Sequence, residues 1–316
     1  MKNRKSIIVG LKSTVLSKQE KFFLKKEKPW GIILFSRNIN NFKQTKKLVS
    51  QIKSCFNDKH YPILIDEEGG RISRIKKIIN TNDFPPSFFG NMYKKNKKDF
   101  FLHYTIYINS ISAILKSIGI NINTVPLLDV VKSKKNKIIG DRSYSNNPHI
   151  VSKVGDFCIN KFSKNKIATV IKHIPGHGIT DIDSHYYTPI VNKDRKTLNN
   201  IDFFPFKNKK SLLAMTAHVI YKNYDLHNTT THSKIIINKV IRKKIKFKNI
   251  LISDDISMKS LKYNFKTNVL KAFEAGCNIV LHCNGNMREM KTLAEISPKI
   301  DNFVYKKTSQ LYNFLM

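Results

Sequence analysis

Short β-branched runs alternate with segments of helical periodicity along almost the whole chain. Eight runs read as strands: residues 6–10 (SIIVG), 31–35 (GIILF), 61–65 (YPILI), 121–125 (NINTV), 167–171 (IATVI), 212–217 (LLAMTA), 250–253 (ILIS) and 277–281 (CNIVL). Between them, apolar residues recur with helical spacing over 14–27, where Ser17 supplies an N-cap signal, and over 44–56, 98–117, 149–164, 234–246, 264–275 and 287–296. Phe84, Pro85 and Pro86 mark a loop, and residues 126–148 read as a long polar loop containing Gly140, Asp141 and Arg142. Eight β-α units in 316 residues predict an α/β protein built as a single (β/α)8 TIM barrel, a fold that typically takes ~250 residues plus insertions. The competing doubly wound sheet lacks its G-x-G-x-x-G fingerprint here.

Polar residues gather where that fold would use them. Arg37, Asp66, Lys172, His218, Asp254 and His282 all lie at or just beyond the C-terminal ends of the expected strands, which converge on one face of a barrel. No internal repeat, low-complexity linker or break in composition divides the chain, so one catalytic domain over residues 1–316 is expected.

Composition narrows the class. A hydrophobic content of 41% supports a substantial core. No apolar run approaches the roughly 20 residues that span a bilayer, and residues 1–12 hold only a short apolar run among basic residues. A cytoplasmic protein with no removed leader and no membrane partner is expected. The cysteines Cys55, Cys158, Cys277 and Cys283 are scattered without CxxC spacing and read as reduced core residues.

The formal charge of +35 raises nucleic-acid binding. Yet the excess is Lys, spread over the whole length among abundant Asn and Ile, while Arg, which bidentate recognition favours, is scarce. Codon usage in an A+T-rich genome produces that composition. No specific nucleic-acid partner is expected, only salt-sensitive adsorption to polyanions.

The stretch KHIPGHGITDIDSH, residues 172–185, abandons periodicity for glycines, histidines and aspartates directly after a strand. Within it Asp183 and His185 are two residues apart, so in an extended segment the carboxylate reaches one ring nitrogen and leaves the other to exchange protons; a solvated loop pair is the alternative. His173 and His177 suggest a metal, but Pro175 and Gly176 between them rule out the helix of an HExxH site, and no metal is expected. In residues 66–74 (DEEGGRISR), Asp66 and Arg74 are suited to gripping hydroxyls, or else belong to an internal salt-bridge network, an ambiguity that Arg142 in GDR shares. Asp254, in SDD at a strand end, is either a reactive carboxylate or a structural one that caps the next turn or pairs with a barrel lysine, and its neighbour Asp255 could do the capping instead.

Together these motifs, DEEGGRISRI, IGDRSYSNNP, KHIPGHGITDIDSHYYTP and LISDDISM, with GIILFSRNI near the start, resemble the glycoside hydrolase family 3 β-N-acetylglucosaminidases of bacterial peptidoglycan recycling. The resemblance covers residues 31–258 and weakens beyond. KHxPGHG followed by DSH is specific, and separates this branch from the family's β-glucosidases, whose acid/base is a carboxylate from a second domain. The resemblance implies a barrel that removes terminal N-acetylglucosamine from muropeptide fragments with retention of configuration. It makes Asp254 the nucleophile and His185 the acid/base oriented by Asp183, with Asp66, Arg74, Arg142, Lys172 and His173 binding the sugar. Glu67 departs from the pattern, where the family usually has Gln, and the chain is somewhat short for the family, which implies trimmed loops. The chemistry fits the residues: retaining hydrolysis needs a nucleophile and a proton donor, normally two carboxylates ~5–5.5 Å apart. A His-Asp dyad would replace the second carboxylate, and no cofactor is needed. The expected partner is a small carbohydrate or muropeptide substrate, met by a monomer. The alternatives are a family 3 phosphorylase on a β-hexosaminide and a non-catalytic barrel that binds polyanions.

Overall fold

A computed structural model of the chain describes residues 1–132, 138–180 and 187–316. Eight strands close into a parallel barrel: β1 (Lys5–Gly10), β2 (Pro29–Leu34), β3 (Ile63–Ile65), β4 (Ile122–Asn123), β5 (Ala168–Ile174), β6 (Leu213–Thr216), β7 (Ile250–Asp255) and β8 (Ile279–His282). Closure comes from β1 pairing with β8 through Ile7 and Val280, Ile8 and Leu281, and Val9 and His282. Helical segments cross over between consecutive strands, as the alternating pattern predicts.

Two apolar layers hold the barrel. Ile8, Ile33, Leu64, Ile122, Val170, Met215, Ile252 and Leu281 fill its interior, while Ile7, Val9, Ile32, Ile63, Ile171, Ala214, Leu251 and Val280 pack outward against the helices. The alternation is the period of two that a strand imposes on its side chains. The lower mouth is stoppered by the helix Asn302–Leu315, which sets Val304 and Leu311 into the interior layer and accepts a 2.8 Å hydrogen bond from Trp30 Nε1 at Thr308 Oγ1. Arg4 reinforces that end, 2.5 Å from Asp58 and 2.7 Å from the Tyr312 hydroxyl.

Some boundaries differ from the sequence-based expectation. Strand β5 runs on to Ile174 and β7 to Asp255, so Lys172, His173, Asp254 and Asp255 belong to strands. Each extension contains one extra residue relative to its neighbour. Ile171 and Ile174 pair with Ala214 and Thr216, and Ile252 and Asp255 pair with Ile279 and Leu281. Such bulges redirect side chains at the rims of barrels. A helix at Pro86–Lys95 begins inside the expected loop, with Pro86 in the first turn, where its missing N–H costs nothing. Within the long polar loop, the described residues include a 3-10 turn at Gly140–Arg142. Among the described residues, no helix is long and apolar enough to cross a membrane.

Candidate active site

The C-terminal ends of the strands enclose a cavity of about 200 Å³ lined by Asp66, Arg74, Arg142, Lys172, His173 and Asp254, with Phe35, Ile138, Ile139, Met215 and Met258 among its apolar walls. Six of the eight site residues singled out from the sequence therefore meet in one place. The other two, Asp183 and His185, lie outside the described residues.

One wall is an ionic network with a buried lysine at its centre. The Lys172 ammonium bonds to Asp66 Oδ1 and stands 2.5 Å from Glu68 Oε1. Asp66 Oδ2 accepts from Arg74 at 2.7 Å, and Thr124 donates to Asp66 Oδ1 at 2.7 Å. Arg142 grips Glu68 with two 2.8 Å bonds, the bidentate arrangement that fixes both planes. Burial would raise the pKa of Asp66, but Lys172, Arg74 and Arg142 outweigh it and hold this carboxyl well below the usual range. Glu68 is lowered in the same way by Arg142 and Lys172. For Lys172 the cost of burial is more than offset by Asp66 and Glu68, and its pKa is raised. The wall is thus charged throughout, with its charges locked in place before any ligand arrives.

Asp254 faces that wall. Its Oδ1 accepts the N–H of Asp255 at 2.8 Å, and its Oδ2 lies 3.9 Å from Nε2 of His173. Burial alone would raise its pKa, but His173, His218, the Asp255 N–H and Lys172 together hold it below the ordinary value of 3.8. His173 is aimed by Asp129, a fully buried carboxylate 2.7 Å from its Nδ1. Beside it, His177 is buried with neither ring nitrogen paired among the described residues, and burial pulls its pKa down to about 4.

The remaining polar strand ends are also engaged in structural ties, and Asp255 lines the cavity as well. Asp255 caps the following turn, its Oδ1 accepting from Ser257 N at 3.1 Å and Oγ at 2.8 Å, and from Cys283 N at 3.2 Å. His218 braces the β7 end by donating from Nε2 to the Asp255 carbonyl at 3.0 Å, with Thr231 2.7 Å from its Nδ1. Arg37 ties the ends of β1 and β8 through the carbonyls of Leu11 and Cys283, and His282 is 2.7 Å from Glu289. Sequence reasoning missed three contributors. Glu68 was visible in the motif but had no evident partner, and Thr124 and Asp129 carry no local signal, since their roles exist only once β4 lies beside β3 and β5.

The sequence matches the glycosyl hydrolase family 3 N-terminal domain over residues 7–303. The chain belongs to glycosyl hydrolase family 3. Its relatives in that family include a β-hexosaminidase of Actinobacillus pleuropneumoniae, 31% identical over 284 residues, which cover 88% of this chain and 81% of the relative. Among solved structures, NagZ from Neisseria gonorrhoeae in complex with N-trifluoroacetyl-D-glucosamine superposes with a TM-score of 0.87 at 27% identity, covering 99% of this chain and 90% of that one. A family 3 β-N-acetylglucosaminidase from Paenibacillus gives a TM-score of 0.86 at 23% identity over 98% of this chain and 60% of that one, a likeness of fold. The cavity lies at the C-terminal face of the barrel, the end at which barrels of this kind carry their sites.

Proposed function

We propose that the chain is a retaining β-N-acetylglucosaminidase that removes terminal β-linked N-acetylglucosamine from peptidoglycan fragments. The observation that carries this reading is the placement of Asp254, an ionised carboxylate opposite a wall of fixed charges in a cavity sized for one sugar ring. Asp66, Arg74, Arg142, Lys172 and His173 grip the hydroxyls and the N-acetyl group, and their mutual pairing limits the ordering that binding requires. Asp254 then attacks the anomeric carbon as the glycosidic C–O bond breaks, and His185, oriented by Asp183, gives its proton to the departing oxygen. In the second step His185 takes a proton from water, which displaces Asp254 and restores the original configuration. The similarity to a β-hexosaminidase and to NagZ supports the sugar assignment.

The test is release of 4-nitrophenol from its N-acetyl-β-glucosaminide. Turnover is expected, with a glucoside far poorer because it leaves the N-acetyl contacts unmade. Equal rates on both would contradict the assignment. Adding inorganic phosphate should neither accelerate the reaction nor yield a sugar phosphate. Phosphate-dependent product would make the enzyme a phosphorylase instead.

A further inference from the structure

Glu67 follows Asp66 directly but does not line the cavity. Its carboxyl is buried beneath the loop and ties four donors together: Arg74 N at 2.6 Å, Ile75 N at 3.2 Å and Ser73 Oγ at 3.1 Å on Oε2, and Thr81 Oγ1 at 3.1 Å on Oε1. Its backbone is clasped by Asn123 of β4, with Glu67 N donating to Oδ1 at 3.0 Å and Nδ2 donating to Glu67 O at 2.9 Å. One side chain therefore anchors residues 73–75 and 81 to the strand end that presents Asp66. Arg74 is fixed from two directions, through its backbone N–H by Glu67 and through its guanidinium by Asp66.

We propose that Glu67 is a positioning residue for sugar binding: its ionised carboxylate holds Arg74 in register with Asp66, and protonation loosens that hold. The role rests on the proposed hydrolase reading. As an anion, Glu67 accepts four charge-assisted bonds. As an acid it turns one acceptor position into a donor, so the Thr81 hydroxyl must reverse and the bonds to Oε2 become neutral ones.

The surroundings leave this ionisation in a useful range. Burial raises the Glu67 pKa, partly offset by the N–H groups of Arg74 and Ile75 and the hydroxyls of Ser73 and Thr81, to about 7. From the helix Lys97–Ile118 the Tyr107 phenol faces it, and burial together with Glu67 pushes that group far above any working pH. Among the described residues, the neighbouring charges of Asp66, Glu68 and Arg74 are engaged with Lys172, Arg142 and one another. The sign for stability follows. A carboxyl raised from 4.5 to about 7 costs the folded state stability as the pH rises through that interval.

The experiment compares wild type with Glu67→Gln, measuring KM and kcat on the 4-nitrophenyl N-acetyl-β-glucosaminide and urea stability from pH 5 to 8.5. The amide oxygen still accepts from the loop N–H groups and its NH2 donates to Thr81, so the variant is a neutral isostere. Wild-type KM is expected to fall roughly three- to tenfold as the pH rises through about 7. The variant should stay at the wild-type low-pH KM throughout, yet be the more stable protein above pH 7. A merely structural Glu67 would lose stability on substitution and leave the KM profile unchanged. Coincident KM profiles would overturn this role and leave the hydrolase reading standing. Absence of turnover and of sugar binding by wild type would overturn both.

Discussion

At the scale of residues, the charges of Asp66, Glu68, Arg74, Arg142 and Lys172 are all paired with one another. Lys172 is the test of that statement, because it serves two buried carboxylates at once. Lys172→Met keeps the volume but removes the cation that Asp66 and Glu68 share, leaving Asp66 to Arg74 and Glu68 to Arg142, and should cost up to about 3 kcal/mol at pH 7 as well as sugar affinity. The pH dependence has a definite sign. Asp66 and Glu68 have depressed folded pKa values, so their contribution is complete above their ordinary values of 3.8 and 4.5 and is lost as the pH falls through the lower, folded ones. Urea unfolding should therefore show a gap between wild type and variant that is large at pH 7 and narrows towards pH 3. A gap independent of pH would mean that packing, not charge, is what Lys172 contributes. Asp254→Asn is the complementary case. The amide retains the shape and the bond from Asp255 N but cannot attack carbon, so kcat should fall by several orders of magnitude with ligand binding preserved. A variant keeping a tenth of wild-type kcat would place the nucleophile elsewhere.

At the scale of elements, legibility followed locality. The helix Lys18–Glu27 was marked by Ser17, and the structure has its full capping box, Ser17 Oγ accepting from Glu20 N at 3.1 Å while Glu20 Oε2 accepts from Ser17 N at 2.9 Å. All eight barrel strands were readable because each carries its own apolar run. What was not readable depended on a neighbour. The continuation of β5 through Lys172 and His173 is held by pairing with residues 126–128, Lys172 N bonding to Pro126 O at 3.2 Å and Leu128 N to Lys172 O at 2.7 Å, in a segment that looks like loop by itself. The bulges in β5 and β7 are likewise relations between strands, invisible to periodicity within one. The helix Asn302–Leu315 was overlooked although Asp301 caps it, because the apolar face formed by Val304 and Leu311 has meaning only against the barrel floor. Leu311 is fully buried there, and Leu311→Ala should cost about 2–5 kcal/mol in chemical denaturation while leaving kcat and KM untouched at the opposite face. A loss of activity without loss of stability would mean that this helix communicates with the site.

At the scale of the molecule, a diffuse charge of +35 coexists with a small cavity whose Arg74, Arg142 and Lys172 are each paired with a carboxylate. Adsorption to RNA should then disappear by moderate salt and show no sequence preference, since scattered lysines neutralise phosphates without reading bases. Salt-resistant, sequence-selective retention would give the charge a function of its own. The central claim is that two-step hydrolysis passes through Asp254 with His185 as its proton donor, and His185→Ala exposes it most directly. An activated aryl N-acetyl-β-glucosaminide can lose its phenol without that proton, so the first step should proceed while the second, lacking its base, stalls. Acid-quenched variant, digested and mapped by mass spectrometry, should carry one N-acetylglucosaminyl group on the peptide containing Asp254, and azide should discharge it as the β-glycosyl azide. An unmodified Asp254 peptide, or a glycosyl group on any other residue, would contradict the account.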